Sequence, residues 1–241
     1  MKEYIILSVT AAICSYLMAG INPAIILSHA IHKTDVRLYG SKNPGFTNYK
    51  RTFGGFDSWL VLILDMTKTV VPVLAFSLIF GSVLDERQLG AAIAGLFAMI
   101  GHAYPIWYKF KGGKAFVAGA VTIWFTDYRV AAIASAVFLL LLFTVKLMSL
   151  SSMTAGIMCP ILLFVFGVDN KATIVLSILS VALLVWRHHS NIVRLVRGQE
   201  KKFYLFGKPK SKNESAITTD TAEQNAVDAV ADDEKADIVD R

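Results

Sequence analysis

Residues 115–147 read AFVAGAVTIWFTDYRVAAIASAVFLLLLFTVKL. Between Ala115 and Lys146 the only charges are Asp127 and Arg129. A bilayer core is about 30 Å thick, so a helical crossing takes roughly 20 apolar residues. This stretch is too long for one crossing, and its first part, 115–126, is short for a crossing of its own. How it divides decides the fold. The remainder of the chain has the same character. Its 241 residues are 55% hydrophobic with a mean hydropathy of +0.54, more apolar than a soluble domain of this length. Working outward in both directions gives candidate spans near 4–28, 57–81, 88–107, 115–126, 128–147, 153–168 and 172–188. The expected fold is an all-α integral membrane protein with seven transmembrane helices.

The basic residues test that count. With seven spans, the loops after the first, third, fifth and seventh share one side and carry 17 Lys and Arg, against 4 on the other. The 17 include Lys33, Arg37, Lys42, Lys50, Arg51, Lys109, Lys111, Lys114 and Lys146; the 4 are Lys2, Arg87, Arg129 and Lys171. Dropping the span at 115–126 evens the division to 10 against 11. Cytoplasmic loops are the Lys/Arg-rich ones, so seven crossings are expected, with the N-terminus external and the C-terminus cytoplasmic. The N-terminus lacks a cleavable-signal pattern and reads as the first span. Residues 1–208 form the expected transmembrane domain. Residues 209–241 are polar and free of aromatics, and 213–241 hold nine acidic against two basic residues. Such a segment cannot bury enough apolar surface to fold, so a disordered acidic tail is expected. Cys14 and Cys159 lie in apolar runs without metal-ligand spacing, so no metal site is expected.

Three polar stretches interrupt the apolar background, all on the predicted cytoplasmic side. The first is Gly40-Ser41-Lys42-Asn43-Pro44-Gly45-Phe46-Thr47-Asn48-Tyr49-Lys50-Arg51. Its glycines allow close backbone approach to an anion, its hydroxyls and amides add donors, and Arg51 offers a fork suited to phosphate. An ordinary turn-rich loop has the same composition. The second is Gly101-His102-Ala103-Tyr104-Pro105, continuing to Phe110-Lys111-Gly112-Gly113-Lys114. It lacks Walker A spacing but suits an anion clamp or a snorkelling basic loop. The third runs from His188-His189-Ser190-Asn191-Ile192 through Arg194 and Gly198 to Glu200. His188 and Asn191 would share a helix face and can donate to phosphate. Arg187, Arg194 and Arg197 are read as anchors to anionic lipid. Asp65 and Lys68, inside the second span, are read as a mutual pair or as a polar pathway. Ser149, Ser151 and Ser152 would cap a helix end or face the loops.

Together the three stretches resemble the PlsY family, the bacterial membrane acyl-phosphate:glycerol-3-phosphate acyltransferases. The family pattern is roughly GSGNxGxTNxxR, GHxxPxxxxFKGGKG and HxxNIxRLxxGxE, met here in that order. Asp65-Met66-Thr67-Lys68 resembles its DxxKG with Thr69 for glycine, and Ser149-Leu150-Ser151-Ser152 its SLxS. The resemblance covers about 4–202. Lys42 and Ala115 stand where the family has glycines, and Ala118 and Gly119 where it has a nearby threonine. A lost glycine shifts the backbone wherever its φ was positive.

The resemblance implies transfer of an acyl group from acyl phosphate to the sn-1 hydroxyl of glycerol 3-phosphate, giving lysophosphatidic acid and phosphate, the first step of phospholipid synthesis. It implies catalytic roles for Ser41, Arg51, Lys114, His188 and Asn191. It implies substrate binding by Asn43, Gly45, Thr47, Asn48, His102, Lys111, Gly112, Gly113 and Ser149. No cofactor, metal or nucleic-acid partner is implied. The partners are the two substrates, the bilayer of the bacterial cell membrane and an enzyme that forms acyl phosphate. None of the five histidines has Asp five residues on, so an HxxxxD base is excluded. A small transporter and a non-catalytic scaffold are the rival readings.

Overall fold

The computed structural model describes residues 1–205, and among them the regular structure is entirely helical. The boundary expected at 208 and the disorder expected over 209–241 lie outside the described residues. Ten α-helices follow in order: α1 Lys2–Gly20, α2 Pro23–His32, α3 Phe46–Thr52, α4 Asp57–Leu84 and α5 Arg87–Ala103; then α6 Phe116–Thr126, α7 Tyr128–Thr144, α8 Met148–Val165, α9 Lys171–Arg187 and α10 His189–Val196. Each of the seven predicted spans is met by an apolar helical segment.

The first predicted span, 4–28, is two helices. Pro23 lacks an N–H and disfavours helix in the residue before it, so α1 stops and α2 starts afresh. Asn22 caps α2, its side chain accepting from the Ile25 N–H at 3.1 Å and donating to the Pro44 carbonyl at 3.1 Å. The carbonyl freed at Ile21 accepts from Lys68 Nζ at 2.7 Å. Lys68 also lies 2.9 Å from Asp65 Oδ1. The two charges inside the second span are thus closed on each other and on the break between α1 and α2, as the mutual-pair reading expects.

Among the described residues, four segments are long and apolar enough to cross a membrane: Lys2–His32, Asp57–Leu84, Arg87–Tyr108 and Met148–Val165. The pair α9 and α10, bent by 59°, makes a fifth. α6 and α7 are shorter. At about 1.5 Å per residue, α6 reaches only about 16 Å, roughly half a bilayer core. Bands of large apolar side chains face outward, among them Ile13, Leu140, Ile161 and Phe164. A soluble surface rarely carries such bands; lipid covers them without penalty.

α5 is the central post, packed against α1, α4, α6 and α9. Its glycines allow this closeness. A Cβ on Gly101 would lie 2.2 Å from the Tyr16 carbonyl of α1, and one on Gly90 would lie 2.4 Å from the Phe76 carbonyl of α4. Small residues bring intramembrane helices into backbone contact in this way. Around one side, α5, α6, α7, α8 and α9 each pack on the next, and α9 returns to α5, closing a ring. At one end of the bundle lie loops 33–56, 104–115, 145–148 and 188–203, within the compact unit Met1–Phe203. At the other, short turns join α4 to α5, α6 to α7 and α8 to α9. Asn170 there donates to Glu86 Oε2 at 2.7 Å, and Asp127 caps α7.

Candidate active site

The site is assembled around Glu200. After α10 the chain turns at Gly198, whose φ is 66°, and runs back across the loop end of the bundle. Glu200 Oε1 accepts from Ser149 Oγ at 2.9 Å and from Asn191 Nδ2 at 2.6 Å, and its Oε2 accepts from Arg194 Nε at 2.7 Å. The Asn191 amide oxygen in turn accepts from Lys114 Nζ. Burial pushes the Glu200 pKa up, but the bonds from Arg194, Asn191 and Ser149 outweigh it and hold the carboxyl below the usual value. Beyond Glu200, the Lys201 carbonyl accepts from Arg51 Nη2 at 2.9 Å, and Phe203 is buried beside Phe46 with the Arg51 guanidinium over its ring. The Phe203 N–H donates to the Lys146 carbonyl at 2.7 Å. One segment therefore ties all four loops together.

The second polar stretch is a folded clip on the end of α5. The Gly112 and Gly113 N–H groups donate to the Ala103 and His102 carbonyls at 3.2 and 3.0 Å. A Cβ at Gly112 would lie 2.1 Å from the His102 carbonyl, and one at Gly113 would lie 2.1 Å from His102 Nε2. At Gly112 the clash is with backbone and admits no side chain, and at Gly113 the His102 ring would have to move. Arg187 clamps the same turn from α9, donating from Nε to Gly113 O at 3.0 Å and from Nη2 to Gly112 O at 2.9 Å. The resemblance gives Gly112 and Gly113 as substrate-binding; in the structure their N–H groups are engaged with α5, and the turn they form carries Lys114. His102 is buried under the clip, 3.6 Å from Asp65 Oδ1. Lys111 is exposed beside it.

The first stretch is organised by Asn48. Its amide nitrogen donates to the Val36 and Tyr39 carbonyls at 3.2 and 3.1 Å, and its oxygen accepts from the Ser41 N–H at 2.9 Å. Both amide donors are used, so Asn48 shapes the loop that presents Ser41. Gly40, at φ 55°, lets the chain pass over this amide, where a Cβ would strike Asn48 Oδ1 at 2.4 Å. Tyr49 is anchored through its hydroxyl to Asp57 at 2.8 Å. α3 is thereby held with Arg51 toward Glu200 and Phe203. Ser41 is exposed, Asn43, Gly45 and Thr47 are half-buried at the start of α3, and none of the side chains of Ser41, Asn43 and Thr47 is tied into the Glu200 network.

His188 sits in the kink between α9 and α10, so it and Asn191 are not on one continuous helix as expected. The kink still brings both onto the start of α8. His188 Nδ1 is 2.8 Å from the Leu184 carbonyl, and only an N–H can bond there, so Nδ1 carries the proton. Nε2 is left as an acceptor, 3.4 Å from Ser152 Oγ. Ser149 and Ser152 lie in the first turn and a half of α8, which starts at Met148 rather than at 153.

Three contributors were missed or misread in the sequence. Arg187 and Arg194 are read there as lipid anchors, yet one clamps the Gly-Gly turn and the other holds Glu200. Glu200 itself carried no role. Arg51, Arg187 and Arg194 all act on Lys114 here, with Glu200 opposing, so the site holds an excess of positive charge suited to an anion. Burial first, and the three arginines next, draw the Lys114 pKa down to about 8.

Fold and site together define an all-helical integral membrane protein with a basic, hydroxyl-rich centre at one end of its bundle. Comparison with known proteins makes this specific. The family model described as glycerol-3-phosphate acyltransferase matches residues 9–198. Similar curated proteins named glycerol-3-phosphate acyltransferase include one from Ureaplasma urealyticum, 32% identical and covering 87% of this chain and 95% of its own length. Another, from Paraburkholderia phymatum, is 38% identical and covers 79% of this chain and 90% of its own. The crystal structure of PlsY, an integral membrane glycerol 3-phosphate acyltransferase, in its glycerol 3-phosphate form superposes with a TM-score of 0.74 at 30% identity, covering 82% of this chain and 96% of that one. Its lysophosphatidic acid form gives 0.70. The chain belongs to the glycerol-3-phosphate acyltransferase family.

The two replaced glycines can now be placed. Lys42 has φ 57° and Ala115 has φ 61°, so at both positions an L side chain occupies the left-handed conformation that glycine takes most readily, and bears its strain. That conformation costs a non-glycine residue about 1–2 kcal/mol, partly offset by the extra freedom of unfolded glycine. Lys42→Gly and Ala115→Gly should each raise the apparent melting midpoint in detergent by about 2–4 °C, the shift expected for roughly 1 kcal/mol in a chain of this size. A lowered midpoint in both variants would contradict the assigned backbone.

The Lys114 pKa sets a second expectation. The ammonium is charged below about 8 and loses its proton above it. Binding of a phosphate anion should therefore weaken as pH rises through that value. Calorimetric titration with glycerol 3-phosphate should show the decline, and Lys114→Arg, which stays charged, should move it to higher pH. Unchanged affinity to well above pH 9 in the unaltered protein would count against Lys114 as an anion contact.

Proposed function

We propose that this protein transfers an acyl group from acyl phosphate to the sn-1 hydroxyl of glycerol 3-phosphate. The observation that carries the proposal is the convergence of Arg51, Lys114, Ser149, His188 and Asn191 about one charge-biased centre. Two anionic substrates must meet there against their repulsion, and fixed cations and oriented donors supply that help. Arg51 and Lys114 neutralise phosphate. Ser41, Thr47 and the second amide N–H of Asn191 donate hydrogen bonds, Ser149 joins them when its hydroxyl turns from Glu200 to the phosphate, and Asn43 and Gly45 shape the approach. In the reaction the sn-1 oxygen attacks the acyl carbon, and the bond from that carbon to the phosphate oxygen breaks. The phosphate leaves with the electron pair. The hydroxyl proton passes to the leaving phosphate or to His188 Nε2, the ring nitrogen free to accept it.

An acyl phosphate is the donor this centre suits. It carries its own activated carbonyl and a leaving group that cations stabilise. The described residues include no large polar domain to hold the nucleotide of coenzyme A. We place all seven apolar segments across the cell membrane, with α6 and α7 packed side by side through Asp127. The N-terminus is then external and the site cytoplasmic, where an enzyme forming acyl phosphate delivers its product. Purified protein in detergent should form lysophosphatidic acid from palmitoyl phosphate and glycerol 3-phosphate, releasing inorganic phosphate in equal amount. Palmitoyl-coenzyme A should give none. Equal turnover with the thioester would overturn the donor assignment.

A further inference from the structure

Of the three lysines in the second polar stretch, the Glu200 network takes only Lys114. Lys109 and Lys111 stand exposed on the turn just before the clip, and neither has an ion-pair partner among the described residues. That turn is strained. The Lys111 N–H donates to the Tyr108 carbonyl at 3.2 Å, closing four residues whose central pair, Lys109 and Phe110, have φ of 54° and 59°. Positive φ at both central positions is the type I′ pattern, which Asn-Gly fills most readily. Long L side chains are disfavoured there. Strain of this kind points to a use for the side chains that bear it.

The turn also continues the outward apolar surface of the bundle. The apolar segment along α5 extends to Tyr108. On α1, Val9, Ile13 and Leu17 face outward at a spacing of four. Where that stripe ends, the Ile21 N–H turns to the Met18 carbonyl, and the Trp107 indole N–H donates to the Leu17 carbonyl at 3.1 Å. Trp107 is nevertheless 58% exposed, with Ile106 at 50% and Phe110 at 57%. Three large apolar side chains thus prolong the stripe to the level of the polar loops, with two lysines among them. Aromatic rings at headgroup level, and ammonium groups on apolar stems, are the composition of a membrane–water boundary. We propose that residues 106–111 are a bilayer anchor: Ile106, Trp107 and Phe110 enter the leaflet on the site side, and Lys109 and Lys111 hold the headgroups of anionic phospholipids. The same chain runs directly into Gly112 and Gly113, so the anchor fixes the clip, and Lys114 on it, against the membrane surface. The inference does not depend on the acyl-transfer reading.

Two measurements test it. The first is the melting midpoint in dodecyl maltoside with added phosphatidylglycerol or phosphatidylcholine, since a lipid that binds the folded state raises it. Phosphatidylglycerol should raise the midpoint by several degrees more than phosphatidylcholine, and the excess should shrink at high salt. Lys109→Gln combined with Lys111→Gln should lose most of that excess. So should Lys109→Asn combined with Phe110→Gly, a pair that suits the turn's backbone and keeps the fold. Lys171→Gln, at the opposite end of the bundle, should retain it. The second measurement is depth. Bimane attached to Phe110→Cys, in a Cys14→Ala and Cys159→Ala background, should be quenched by phospholipids brominated near the headgroup and shielded from aqueous iodide. An undiminished excess in both turn variants would overturn the anchor. So would a bimane open to iodide and untouched by brominated lipid, which would assign the patch to a soluble partner instead.

Discussion

A buried carboxylate can persist only where hydrogen bonds and opposite charge replace the water it has lost. Glu200 meets that condition with Ser149 from α8 and Asn191 and Arg194 from α10, and it reaches Lys114 through Asn191. The arrangement explains the order of the rest. The segment carrying Glu200 brings Phe203 onto α3 and its carbonyls onto Arg51. Three arginines and a lysine would repel one another in so small a volume. One internal anion makes their assembly tolerable while leaving the centre net positive. The fold itself thus holds the cations in place, the preorganisation that electrostatic catalysis of the proposed reaction would require.

The glycine-rich clip has a different logic from the one its composition suggests. Consecutive glycines often present N–H groups to an anion. Here they are needed because the loop lies directly on the end of α5, and Arg187 fixes it from the opposite side. Lys114 emerges from this clip with little freedom. The phosphate contact proposed for Lys114 and the rigid setting behind it are therefore separable, and a substitution at Arg187 would act through the clip that carries Lys114.

The apolar segments were legible in the sequence because hydropathy alone decides them, and each is met by a helix. The basic-residue division correctly grouped the four loops that the Glu200 segment joins. Hydropathy is blind to a break within an apolar run, so α1 and α2 were read as one span, although Asn22-Pro23 is a recognisable helix start. The site residues were visible as polar islands, and Ser149, Lys114 and Asn191 do come together. Arg187, Arg194 and Glu200 were not assigned because their bonds are fixed by tertiary placement. Arg187 reaches back 74 residues to Gly113, and Ser149 reaches forward 51 to Glu200. Beside a membrane span, an arginine that snorkels and one that clamps a loop look the same in sequence. Lys42 and Ala115 illustrate the converse: sequence flagged the positions, but only the backbone angles show that both are left-handed.

The central claim is that Lys114, half-buried among arginines, receives the phosphate of glycerol 3-phosphate. Amine-selective acylation of the purified protein, followed by peptide mass analysis, measures it directly. Lys114 should react at pH 8 in the free protein, because its pKa near 8 leaves much of the amine neutral. Glycerol 3-phosphate should protect it in a saturable manner, while glycerol does not and exposed Lys111 reacts equally throughout. Equal modification of Lys114 with and without glycerol 3-phosphate would contradict the account.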